Sequence, residues 1–171
     1  MREAGILGED DRVELLEGEI VEMAPIGSRH AAVVDRLNAL FARALEGRAI
    51  VRVQSPVRLS EVSEPQPDLA LLRPRGDYYE GGHPGPGDVL LVVEVADTRP
   101  EYDREVKVPL YGRHEVREAW LVDLSAGRVE VYRGPGPRGY KERRVLGRGE
   151  AVAPLAVPDL EVRVEEVLGG P

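Results

Sequence analysis

The chain has 171 residues, a net charge of −8 and no cysteine. Residues 1–171 suffice for one ordinary domain with a real core and do not demand two, and the lack of cysteine excludes disulfides and thiolate zinc sites. No apolar run approaches the ~20 residues of a membrane span, and Met1-Arg2-Glu3-Ala4-Gly5 lacks the basic-then-apolar layout of a signal peptide, so a cytoplasmic protein without a membrane partner is expected.

The acidic total argues against a general polyanion binder, because phosphate binding relies on a local excess of Lys and Arg. The charge is uneven, however. Residues 1–22 carry eight acids against two bases, whereas residues 128–148 carry seven bases against two acids. The second run includes Arg143 and Arg144, candidate phosphate contacts on a basic face; a plain solvated surface is the alternative. Only Lys107 and Lys141 are lysines among 23 basic residues. Where arginine is the default cation, a lysine draws attention, being a compact charge whose pKa can shift.

In chain order, Leu15-Leu16-Glu17-Gly18-Glu19-Ile20-Val21 predicts a hairpin turning at Gly18, and Pro25 and Gly27 then break the pattern. Ser28 is a candidate N-cap for a helix from about Arg29 to Glu46, with Val33, Val34, Leu37, Leu40, Phe41, Ala44 and Leu45 on one face. Strand pieces follow at Ile50–Val53 and Val57–Leu59. Pro67-Asp68 opens the apolar run Leu69-Ala70-Leu71-Leu72. A long Gly/Pro/Tyr loop, residues 73–87, leads to Val89-Leu90-Leu91-Val92-Val93-Glu94-Val95-Ala96, which reads as a strand buried on both faces. A second helix is expected from Pro100 to Arg113, kinked or shortened by Pro109. Strands at 119–122 and 129–132, a piece at 143–146 and a final strand at 160–164 complete the order. The pattern predicts an α/β fold: a mixed sheet flanked by helices, with a C-terminal antiparallel elaboration.

Glu94 is the anomaly. A carboxylate is almost never fully buried unless it is paired or binds a metal. Asp68, at the mouth of another apolar strand, offers a partner, and two strands that each end in a carboxylate form a candidate metal site. Lys107 follows Glu94 by 13 residues on the second helix. Plainer readings stand beside these: an i, i+4 surface pair of Asp103 with Lys107, a turn role for Asp68, and a buried arginine partner for Glu94.

The strings Ser63-Glu64-Pro65-Gln66-Pro67-Asp68-Leu69-Ala70-Leu71-Leu72, Val92-Val93-Glu94-Val95-Ala96-Asp97-Thr98, Tyr102-Asp103-Arg104-Glu105-Val106-Lys107, and Tyr111 with Glu118-Ala119-Trp120-Leu121-Val122-Asp123 resemble the Uma-type restriction-endonuclease family. Glu14-Leu15-Leu16-Glu17-Gly18-Glu19 and His30 extend the resemblance over nearly the whole chain. Each motif alone is weak; their order and spacing are specific. The family is assigned to the PD-(D/E)xK nuclease superfamily, so the resemblance implies a restriction-endonuclease-like core. Asp68 would be the first acid and Glu94 the second. The superfamily lysine stands two residues after the second acid, but here that position is Ala96, so Lys107 would supply the amine from the following helix.

The resemblance further implies an endonuclease hydrolysing DNA phosphodiester bonds with Mg2+ or Mn2+. Asp68, Glu94 and the Val95 carbonyl would hold the metal, with Lys107 beside the attacking water or the transition state. It also favours His30 as a substrate or water ligand over a core-edge histidine. Gln54 is a candidate water contact, or simply a loop glutamine. Glu17, Glu19 and Glu22 read as a solvated strand edge, with a contribution of one of them to a second metal position as the alternative. The competing reading is a catalytically weak or inactive module of the same fold that binds DNA or protein. A nuclease of this size that cuts both strands usually needs two active sites, which a homodimer supplies, although no sequence feature marks an interface.

Overall fold

The structure, a computed structural model, describes residues 12–170; the acidic positions 3–11 lie outside them. Strands β1 (Val13–Leu16) and β2 (Glu19–Glu22) pair antiparallel across a two-residue turn. Glu17 (φ 49°) and Gly18 (φ 84°) are both left-handed, the backbone that matches the twist of a hairpin.

Helix α1 (Ser28–Ala44) starts one residue earlier than its composition suggests, with Gly27 at the N-cap and no side-chain cap. Ser28 is thus helical and caps nothing. Val33, Val34, Leu37 and Phe41 form the buried stripe. Strand β3 (Ile50–Val53) follows, but Val57 and Leu59 lie in an irregular segment, buried in a core without joining the sheet.

The main sheet has six strands in the order β3-β4-β5-β6-β7-β8, with β4 at Leu69–Leu72, β5 at Val89–Ala96, β6 at Glu118–Asp123, β7 at Arg128–Gly136 and β8 at Gly139–Leu146. It is mixed: β5 and β6 run parallel, and every other neighbouring pair is antiparallel. A parallel pair cannot be closed by a hairpin and needs a crossover, which residues 97–117 supply. The sequence-based outline breaks the basic hairpin at 133–142, yet β7 and β8 stay paired from Val129↔Leu146 to Gly136↔Gly139. The final strand is also shorter than its apolar pattern suggests. β9 (Ala151–Val152) pairs with β10 (Val162–Arg163), after which Val164–Leu168 coils into α4. There the Glu166 carboxylate accepts the Arg163 backbone N–H at 3.0 Å, satisfying one of the donors that a helix start leaves free.

The crossover is one helical segment of three parts: α2 (Pro100–Tyr102), a π-helical turn (Asp103–Lys107) and α3 (Val108–Arg113). Proline in a helix interior lacks its N–H and crowds the carbonyl four residues back. The widened turn, in which the Val108 N–H reaches the Asp103 carbonyl, accommodates Pro109. The kink expected from the sequence is therefore a π turn.

All eight residues of β5 are buried. Leu91, Val93 and Val95 pack in the core under α1, whereas Val92 and Ala96 belong to a second core with Val108, Leu110 and Tyr111 of the crossover. By the period of two along a strand, Glu94 faces that second core. The 73–87 loop is anchored to it: Tyr79 is buried and donates its hydroxyl to the Arg73 carbonyl.

Gly112 sets how closely the crossover lies on the hairpin β7–β8. A Cβ there would stand 2.6 Å from the Gly139 carbonyl carbon and 2.8 Å from its Cα, both backbone atoms that cannot step aside. Gly112→Ala is expected to destabilise the fold by about 1–3 kcal/mol or more through overpacking, read as a lower midpoint in urea denaturation.

Candidate active site

Asp68 precedes β4 and Glu94 lies near the end of β5, so antiparallel pairing, in register at Leu69↔Val93, brings the two acids to one end of the sheet. The Asp68 carboxylate accepts the Val95 backbone N–H at 2.7 Å and lies 3.0 Å from His30 Nε2. His30 comes from the first turn of α1, the helix on the other face. Its bond to Asp68 raises the imidazole pKa against the opposing effect of burial.

Lys107 leaves the π turn and reaches the same place. Its Nζ lies 2.8 Å from Glu94 Oε1 and 2.5 Å from Glu14 Oε1, and the residue is 3% exposed. The bland i, i+4 reading is not what the fold adopts, since no Asp103–Lys107 ion pair forms among the described residues. Nor is the partner of Glu94 an arginine. Tyr111, one turn beyond Lys107, donates its hydroxyl to Glu94 Oε1 at 2.7 Å.

Glu14 is a residue of the cleft to which the sequence alone assigned no role. Glu17 pairs with Arg113, Glu19 is exposed, and Glu22 contributes an exposed side chain to the cleft lining. Glu14 is the buried one, and its carboxylate also accepts the Gln66 backbone N–H. Period-two alternation was the available signal: Glu14 and Leu16 share the buried side of β1.

Together these groups line a cleft of about 360 Å³ that includes Glu14, His30, Asp68, Glu94, Val95, Asp103 and Lys107. Gln54 is not among the lining residues; its backbone N–H donates to the Asp68 carbonyl from a left-handed φ of 49°. Arg143 and Arg144 do not line it either. Arg143 binds Glu130 and the Tyr132 hydroxyl, and Arg144 borders a separate cavity with Arg133 and Glu161.

The cleft holds more negative than positive charge. Burial raises the Glu94 pKa well above the usual range, Lys107 opposes the rise, and Asp68, Asp103 and Glu14 add to it. Burial likewise lifts Asp103 to about 7. Hard oxygen donors in excess over ammonium suit a divalent cation. Among the described residues no three acidic or imidazole groups are clustered to hold an ion unaided. Two carboxylates completed by water and substrate phosphate are the usual arrangement for magnesium. Two buried polar atoms of the lining, His30 Nδ1 and the Tyr102 hydroxyl, have no partner among the described residues.

A second charge centre on the same sheet face contrasts with this one. Glu130 is fully buried and binds Arg104, Arg128, Arg143 and the Tyr132 hydroxyl. Burial works to raise its pKa, but hydrogen bonds from Arg104, Tyr132 and Arg143 prevail and hold it at about 2.

These opposite shifts predict a stability profile with two limbs. Glu130 is depressed from 4.5 to about 2, so its contribution is present above about pH 4.5 and is lost as pH falls through 2. Asp103 is raised from 3.8 to about 7, so its contribution is present below about pH 4 and is lost as pH rises through 7. Asp103→Asn is expected to flatten the decline between about pH 4 and pH 7 and raise the melting temperature at pH 8 in chelator, while Glu130→Gln lowers it at pH 7. Thermal melts from pH 3 to pH 9 check both.

The fold and the cleft can be set beside known proteins. A crystal structure of a "putative nuclease belonging to DUF820" from Anabaena variabilis superposes with a TM-score of 0.69 over 96% of this chain and 94% of that one. At 16% identity this establishes a shared fold. Among curated proteins, none shows a significant match. The model of the family named Uma2, described as "Putative restriction endonuclease", matches residues 3–165. With nearly the full length matched, the chain belongs to the Uma2 family.

Proposed function

We propose that this protein is a divalent-cation-dependent endonuclease that hydrolyses DNA phosphodiester bonds in the cleft of Asp68, Glu94 and Lys107. The observation that carries the reading is the convergence of Lys107 on Glu94 at 2.8 Å, although the position two residues after the acid is Ala96. Asp68 and Glu94, with the Val95 carbonyl, are the groups that would hold Mg2+ or Mn2+. Bound there, such an ion neutralises phosphate charge and lowers the pKa of a coordinated water.

The side chains divide the remaining work. Lys107 is a fixed positive charge, its pKa raised by Glu94 and Glu14 against the cost of burial. It orients the attacking water and stabilises negative charge developing on the phosphoryl oxygens. Tyr111 and Glu14 hold Glu94 and Lys107 in place, respectively. His30 holds Asp68 through Nε2 and keeps Nδ1 for substrate or water. Cleavage of both strands would call on two such sites, as in a homodimer. The competing reading, a binding module with little catalysis, draws on the double pairing of Lys107, which leaves its amine engaged before substrate arrives.

Plasmid nicking in Mg2+ and Mn2+, against chelator, separates the two. Asp68→Ala and Glu94→Gln are each expected to lower cleavage at least about a hundredfold. Glu94→Gln should keep or raise the melting temperature in chelator, because Lys107 retains Glu14 and a neutral amide replaces a desolvated carboxylate. Wild-type protein that binds DNA but never cuts, at any divalent concentration, would establish the binding module. Lys107→Met is expected to lose both cleavage and stability, since it strands Glu94 and Glu14 as unpaired buried acids at a cost of about 3–5 kcal/mol.

A further inference from the structure

A second cavity, of about 250 Å³, lies beside the N-terminus of α1. Arg29, Arg36 and Arg148 line it together with Ser28, and among the described residues no carboxylate does. Each guanidinium is fixed by backbone carbonyls. Arg29 donates to Leu124 O at 3.0 Å and Arg36 to Leu168 O at 3.1 Å; Arg148 donates to Gly169 O at 3.0 Å and Gly170 O at 2.9 Å. Carbonyls orient a guanidinium without cancelling its charge.

Several other arginines meet buried carboxylates instead. Arg104, Arg128 and Arg143 converge on the buried Glu130, with Asp123 also facing Arg104 and Arg128, and Arg133 pairs with the buried Glu118. Of the basic run at 128–148, Arg148 is the member turned to this cavity. Among the described residues the carboxylate paired with Arg29 is Asp97, at 3.5 Å and with both side chains partly exposed, a geometry worth little. Asp97 itself lines the catalytic cleft, and His30 follows Arg29 directly, so the two cavities adjoin across the start of α1. The helix adds to the positive field, for it has no side-chain cap and no acid in its first turn.

We infer that this arginine cavity binds a backbone phosphate of DNA flanking the phosphodiester that is cut. Guanidinium forks match phosphate oxygens, and a site built this way supplies anion affinity that the acidic cleft and the net charge of −8 withhold. The assignment rests on the nuclease reading for its choice of DNA as the phosphate source; the cavity itself is independent of the catalytic acids.

The test measures binding of a fluorescent DNA duplex in chelator, across a salt series, with the full chain. The Arg36→Gln/Arg148→Gln double variant is expected to lose at least about tenfold in affinity, and its log–log salt slope to shrink by about 0.9 for each phosphate that the variant no longer neutralises. Arg36→Lys/Arg148→Lys keeps the charge but loses the fork, so it should keep the wild-type salt slope with an affinity between wild type and the glutamine pair, which a mere anchoring role for the C-terminal carbonyls would not produce. Arg43→Gln, elsewhere on α1, controls for general charge loss and should change affinity by less than about twofold. Unchanged affinity and slope in the glutamine pair overturn the site, and so does equal loss in the glutamine and lysine pairs. Thermal stabilisation by inorganic phosphate that vanishes in the glutamine pair, with DNA binding unaffected, means the cavity takes free phosphate, which also overturns it. Plasmid cleavage run in parallel keeps the two readings apart. Cutting with normal binding by the glutamine pair removes the subsite alone, whereas the expected binding loss in a protein that never cuts removes the nuclease reading alone.

Discussion

Much of the molecule hangs on the buried ammonium of Lys107. Glu94 stands in the middle of the main sheet, on a strand buried along its full length, where an unpaired carboxylate would be costly. Lys107 reaches it from the crossover and also binds Glu14 from the β1–β2 hairpin. One cation thus ties together three elements distant in sequence. The hairpin is a separate two-stranded sheet, and this pair, with the hydrogen bonds of Glu14 and Val13 to Gln66, seats it over the cleft.

The two faces of the sheet are held by different means. Under α1 the contacts are aliphatic and aromatic, with Leu37 and Phe41 fully buried and Phe41 tilted against Trp120 at 6.1 Å. The crossover face mixes apolar packing with charge. Arg104 and Lys107, three residues apart, project from the π turn onto acids of different strands. The turn that Pro109 requires is therefore also the turn that aims both cations.

The two charge centres behave oppositely. Glu130 is surrounded by donors and held at about 2; it is a saturated structural ion. Burial, with acids crowded round one lysine that pairs only with Glu94 and Glu14, raises the pKa values of Glu94 and Asp103. Unmatched negative charge in a cleft is the electrostatic feature on which the proposed cation-binding role rests.

Local periodicity and backbone chemistry were enough to read the strand character of 89–96, the α1 stripe, the tight turn at Gly18 and the two acid-bearing strands directly from the chain. The order of motifs also carried the family, and with it the restriction-endonuclease-like mixed sheet. The remainder was settled by long-range packing. Whether Lys107 pairs with Asp103 or Glu94 depends on the face a widened helical turn presents, and a helical i, i+4 rule cannot see a π turn. The role of Glu14 required the hairpin to be docked, since its partners lie 52 and 93 positions away. Arg143 and Arg144 carried the same charge as Arg148 in the linear sequence; β-register turned Arg143 onto a buried glutamate and left Arg148 beside a helix start with only carbonyls for company. Charge is legible in one dimension, but its neutralisation is a contact, and contacts between distant residues are made by the fold.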